Sequence, residues 1–303
     1  MPTLIDFRRR IRSVKNTQQI TRAMKFVAAA KLRRAQERAL AVRPYAREMR
    51  RVLRSAMARI ESPNFPLMAH RPEERILVLV LTGNKGLCGA FNTNVVRRAL
   101  EFFREHAQQR VRVIPVGKKG RDALRKRRLD LAAEYVNLSA SVEFSQAREI
   151  ASRVIEMFSS GEVDAVYAVF NEFKSVLTQR LLVEKLLPIE AEQPSDDERS
   201  KADDDRLERL AEERSVLHVD YIYEEPPEEI YAKLLPRYVE TQVFQVLLES
   251  AASEQAARMT AMDSATNNAA ELIEQLTLYM NKVRQAAITR EIIEVVSGAV
   301  STD

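Results

Sequence analysis

The sequence predicts an α/β domain inserted between two very long helices that pair as an antiparallel coiled coil. Three observations carry this. Only seven glycines occur in 303 residues, none of them before Gly83, and neither Gly nor Pro occurs from Arg237 to Ser297; these are the two residues that most penalise a helix interior. An apolar seam with alternating steps of three and four runs through the first sixty residues, the signature of a coiled coil. Between the two breaker-poor ends, short apolar runs alternate with amphipathic ones, which is the pattern of a mostly parallel sheet with helices on it.

The first helix is expected over residues 3–60. Positions 4, 7, 11, 14, 18, 21, 25, 28, 32, 35, 39, 42, 46, 49, 53, 56 and 60 are apolar at 14 of 17 places, where a 46% hydrophobic content gives about eight. Such a helix is about 85 Å long. Pro44 removes one hydrogen bond and kinks it locally while the seam keeps its register. Residues 61–72 form a Pro-rich linker. Residues 75–82 ("RILVLVLT") read as a buried strand, followed by a Gly-rich turn and a helix near 94–107. A strand at 111–117, a short basic helix at 118–127, a helix at 145–160 and strands at 165–171 and 176–188 complete a Rossmann-like α/β domain. Residues 190–214 form an acidic insertion, a mobile loop or an exposed helical element. "PPEEIYAKLL" opens another helical region, and a second long helix runs from Pro236 to about Val296, near 90 Å. Its seam is expected at Met262, Ala265, Ala269, Leu272, Leu276, Tyr279, Val283 and Ala286. The chain thus divides into 1–60, 73–220 and 226–303.

Neither long helix can bury its stripe alone, so the two pair. Polar seam residues are costly opposite apolar ones. Facing Gln18, Thr21 and Lys25 with Gln255 and Arg258 makes paired positions sum to about 280 and places Arg258 beside Met24 and Lys25. It also leaves roughly 281–298 projecting past the N-terminus as a single helix.

Charge is uneven. Residues 1–60 hold 17 Lys/Arg against three Asp/Glu, and residues 190–229 hold 16 Asp/Glu against five Lys/Arg, within a net charge of +5. The basic arm suits an anionic partner, either an acidic protein surface or nucleic acid. The longest apolar run, "ILVLVL", is far shorter than the roughly 20 residues of a membrane span, and the opening "MPTLIDFRRRIRS" lacks the apolar stretch of a signal peptide. One cysteine, Cys88, allows no internal disulfide and is expected to be buried and inert; three scattered histidines (70, 106 and 218) have no ligand spacing. "TGNKGLCGAFN" (82–92) lies between strand and helix, but its glycines at 83, 86 and 89 fit neither the dinucleotide nor the Walker pattern. A structural turn is the better reading. No catalytic constellation is visible, so no catalytic residue, metal, cofactor or direct small-molecule ligand is expected. A basic zipper that binds nucleic acid is the competing class; it needs free basic helix ends and a dimer.

Three segments together resemble the gamma subunits of rotary (F-type) ATP synthases of bacterial type: "IRSVKNTQQITRAMKFVAAAKLRRAQ" (11–36), "GLCGAFNTN" (86–94) and "NKVRQAAITREIIEVVSGA" (281–299). Their order and spacing extend the resemblance over essentially the whole chain. It implies a non-catalytic rotor shaft inside a ring of alternating alpha and beta subunits. It also implies a globular domain bound to the epsilon subunit and the c-subunit ring, and a peripheral position on the cytoplasmic face of the plasma membrane. Nucleic acid is not an expected partner under this reading. The family's contacts with the head fall on Met24 and Lys25 and on Arg284, Gln285 and Thr289; the register adds Arg258. "GNK" at 83–85 departs from the acidic–basic pair common there, and 194–214 is similar to an insertion.

Overall fold

The computed structural model describes residues 3–57, 65–138, 142–176, 178–189 and 227–300. The acidic stretch 190–214 therefore lies outside the described residues.

The first helix, α1, spans Leu4–Met57 and runs through Pro44. Thr3 caps it: its hydroxyl and backbone N–H both donate to Asp6, at 2.8 and 2.9 Å. Every expected seam position from 4 to 53 is buried or half-buried. The last helix, α5, spans Pro227–Val300, and α1 packs along it. The expected break at Pro236 is absent, so the segment before it and the long helix are one element. A mid-helix proline costs about 3 kcal/mol. Tyr231 and Leu235 before it, and Tyr238, Val239 and Val243 after it, are all buried in one core, and that burial outweighs the cost.

Between them lies a four-stranded sheet of order β2-β1-β3-β4. Strands β1 (Arg75–Leu81), β2 (Arg110–Val116) and β3 (Ala165–Phe173) are parallel, and β4 (Gln179–Leu187) is an antiparallel edge strand. Helix α2 (Phe91–Glu105) follows β1, α3 (Lys118–Arg125) follows β2, and α4 (Phe144–Ser159) precedes β3. The pleat of β1 sorts the two faces. Ile76, Val78 and Val80 pack with Val95, Ala99 and Phe102 of α2. Leu77, Leu79 and Leu81 face the other core, with Ile150, Val154 and Met157 of α4 and Val239, Val243 and Val246 of α5. The sheet is therefore pressed directly onto the long helix.

The expected seam of α5 is buried or half-buried at Met262, Ala265, Ala269, Leu276 and Val283. Leu272 and Tyr279 are 42% and 55% exposed and Ala286 is exposed, while Ile273 and Met280 beside them are half-buried. A straight helix of 3.6 residues per turn drifts about 20° per heptad from a 3.5-residue seam, so between Ala269 and Ala286 the contact stripe turns by roughly 50°, about half the angle between neighbouring residues, and adjacent positions come to share it.

Candidate functional site

Two regions of the long helices hold the expected contact residues. The first is the polar stretch of the coil. Thr21 is buried; its hydroxyl lies 2.8 Å from that of Thr266. Lys25 donates to Asp263 at 2.6 Å, and Met24 beside it is half-buried. Further along, the rings of Phe7 and Tyr279 pack with centroids 5.2 Å apart, and the Tyr231 hydroxyl donates to the Leu53 carbonyl at 3.1 Å. Paired positions therefore sum to 284–288. The rule that polar faces polar holds, but the partners are Asp263 and Thr266, one to two turns beyond Gln255 and Arg258. The sequence carried the signal: Asp263 is the acid whose charge answers Lys25. Opposite Leu32 the packing is on Ala252 and Ala256, small residues that let the two backbones approach.

Arg258 does not stand against Met24 and Lys25. Its guanidinium donates to Glu254 at 2.5 Å and to the Gly86 carbonyl at 3.4 Å, and its side chain is 12% exposed. It is thus directed into the 82–92 turn. That turn is rigidly built. Gly83 donates its N–H to the Asn92 carboxamide oxygen at 2.8 Å, and Asn92 donates to Cys88 Sγ at 3.1 Å. Cys88 is buried, and that burial raises its thiol pKa, with the Arg258 charge opposing the rise. Gly117, at φ +104°, sits so close to the end of β1 that a Cβ there would stand 2.0 Å from the Thr82 carbonyl oxygen.

The second region is the tip. With sums near 286, α1 ends opposite residues near 282, and α5 continues to Val300. Arg284, Gln285 and Thr289 are all exposed, with the Thr289 hydroxyl donating to the Gln285 carbonyl at 2.9 Å. Ile288, Ile292 and Ile293 are 48%, 57% and 58% exposed. Among the described residues no group of acidic, His or Cys side chains could hold a metal ion, and no helix is long and apolar enough to cross a membrane.

The sequence profile of the ATP synthase family matches residues 3–301. The ATP synthase gamma chain of Solibacter usitatus is 51% identical, with 100% of both chains covered, and that of Pelotomaculum thermopropionicum is 45% identical, also over 100% of both. The chain belongs to the ATP synthase gamma-chain family. Gamma chains are the non-catalytic central shaft of the rotary enzyme, a membrane-associated complex. The fold agrees. A Tetrahymena thermophila mitochondrial ATP synthase structure, of the central stalk and c-ring, matches at TM-score 0.59 and 27% identity, over 81% of this chain and 99% of that one. A chain of the Euglena gracilis mitochondrial ATP synthase, in a structure of its OSCP/F1/c-ring, matches in fold at TM-score 0.65 and 22% identity, over 99% of this chain and 94% of that one. The long helices α1 and α5 pair within this one chain, whereas a basic zipper seeks a second copy.

Proposed function

We propose that the α1–α5 pair turns inside a ring of alternating alpha and beta subunits and couples ion flow through the membrane sector to their ATP chemistry. Residues 1–60 and 226–303 supply the shaft, and 73–220 the collar that binds epsilon and the c ring, at the cytoplasmic face of the plasma membrane. Met24, Lys25, Arg284, Gln285 and Thr289 meet the head. The observation that carries this reading is the unpaired tip. A helix end without a partner among the described residues, with Ile288, Ile292 and Ile293 about half exposed, is unfavourable in water and calls for a protein sleeve. The 17 Lys/Arg of residues 1–60 suit an acidic lining in that sleeve. The test is co-purification. A tagged copy should leave washed, detergent-extracted membranes with alpha and beta subunits in a fixed ratio, and its depletion should abolish ATP-driven proton pumping. Elution of the chain without alpha and beta subunits would overturn the reading.

A further inference from the structure

We propose that Glu254 and Arg258 are positioning residues that clamp the globular domain to the shaft, so that torque crosses between the two at the crevice between β1 and β3. The proposal rests on the rotor reading above and names where in the chain the load is carried.

The topology marks this crevice. The chain leaves β1 for β2 on one side, then crosses back to β3 on the other. In open α/β sheets the carboxyl ends of strands at such a switch point form the usual ligand cleft. In this chain α5 fills it. At the end of β3, the buried Ser253 hydroxyl donates to the Asn171 carbonyl at 2.9 Å, and the buried Glu249 carboxylate accepts from the Phe173 N–H at 3.1 Å. At the end of β1, Glu254 lies so close over Gly83 that a Cβ there would stand 2.8 Å from its carboxyl carbon. Arg258, one turn on, bridges Glu254 to the Gly86 carbonyl. A Cβ on Gly89 would rest 3.8 Å from the Ala261 methyl, so residues 254, 258 and 261 present one face of α5 to the turn. The two charges are only 12% and 19% exposed.

The rest of the attachment is mostly apolar. Val239, Val243, Val246 and Leu247 lie in the core with α4 and the sheet, and Phe144 meets Phe244 edge to face at 5.4 Å. Burial of that kind resists separation but is non-directional. A charged pair held against a backbone carbonyl is directional and opposes both rotation and sliding. It is anchored in a turn that Asn92 stiffens. A side chain at 83 would have to displace the Glu254 carboxylate, which occupies its place.

The experiment uses the reconstituted complex and reads ATP hydrolysis and proton pumping on the same vesicles, beside melts of the chain. Removing one charge-assisted bond shifts the clamped–unclamped balance by roughly tenfold. Arg258→Ala and the isosteric Glu254→Gln should therefore keep hydrolysis but lower the protons pumped per ATP several-fold, with Arg258→Lys recovering part. Gly83→Ala should lower the same ratio by displacing Glu254, yet add nothing on a Glu254→Ala background, where the space is free. Where Arg258→Ala melts early, Glu254→Gln decides. Additive losses for the Gly83–Glu254 pair, or unaltered ratios in a complex whose wild-type chain pumps, overturn the clamp alone. A wild-type chain that supports no pumping overturns the rotor reading and the clamp with it.

Discussion

The Asp164 side chain, 2% exposed, ties the start of β3 to that of β1. It accepts from the Arg75 N–H at 2.9 Å, from Nε at 3.0 Å and from Nη2 at 2.7 Å. These bonds favour the ionised form over the cost of burial and hold the carboxyl below its ordinary value of 3.8. A carboxylate depressed on folding stabilises the fold above its unfolded value, and the contribution drains as pH falls through the folded one. Asp164→Asn should therefore cost about 1–2 kcal/mol at pH 7, the low end because the half-exposed Arg75 is screened. The cost should shrink by pH 3. Urea unfolding at both values checks this, and an equal cost at both would assign the loss to packing. Cys88 belongs to the same scale. Its burial and its Asn92 contact predict that a thiol reagent labels it only after denaturant is added.

At the scale of elements, the coil was legible because its seam is a one-dimensional pattern. All expected α1 positions from 4 to 53 are at least half buried. The strands at β1, β2 and β3 were legible from apolar runs bounded by turns. Three things were not. Pro236 punctuates a sequence, but packing on both sides overrides it. The α5 seam after Ala269 is shared between adjacent positions, Ile273 and Met280 joining Leu276 and Val283, since small drifts per turn accumulate. The register came out near 280 because Gln255 and Arg258 were the polar residues in view, while Arg258 was engaged by a turn distant in sequence. Two experiments follow at this scale. Thr21→Cys with Thr266→Cys should cross-link readily on oxidation, since the two hydroxyl oxygens are 2.8 Å apart. Lys25→Cys with Arg258→Cys should not, because Asp263, which pairs with Lys25, is about 7.5 Å further along the axis. The opposite result would restore the register of 280. Leu32, 4% exposed against Ala252 and Ala256, should cost about 2–4 kcal/mol on change to Ala, read from chemical denaturation of the chain.

For the whole molecule, the two ends of α5 have different duties. From Tyr231 to Ala269 its side chains bury against α1 and the sheet, and these contacts determine stability. From about residue 282 on, Arg284, Gln285, Ile288 and Thr289 face solvent. Burial of a side chain within the chain is visible in a seam; a contact made only with another subunit is not, and the tip residues came solely from the family resemblance. That division predicts a separation of phenotypes. Arg284 is exposed, and among the described residues no hydrogen bond or ion pair holds it, so with Arg284→Ala the melt should stay within about 0.5 kcal/mol of wild type, the usual range for an exposed substitution. In the assembled complex the same change should break a charge-assisted hydrogen bond to the head. The loss there should be on the order of 1.5–3 kcal/mol, about a tenfold or larger fall in ATP turnover and coupled pumping if the bond forms as the shaft reaches its working angle. Removing the residues from Val296 onward should be milder, because Ile288, Ile292 and Ile293 still seat the tip. Steady-state ATPase and pumping of the reconstituted complex, beside melts of the isolated chain, separate the cases. Unchanged turnover and pumping with Arg284→Ala would remove this residue from the coupling surface, and a collapsed melt would make it a stabilising residue of the chain instead.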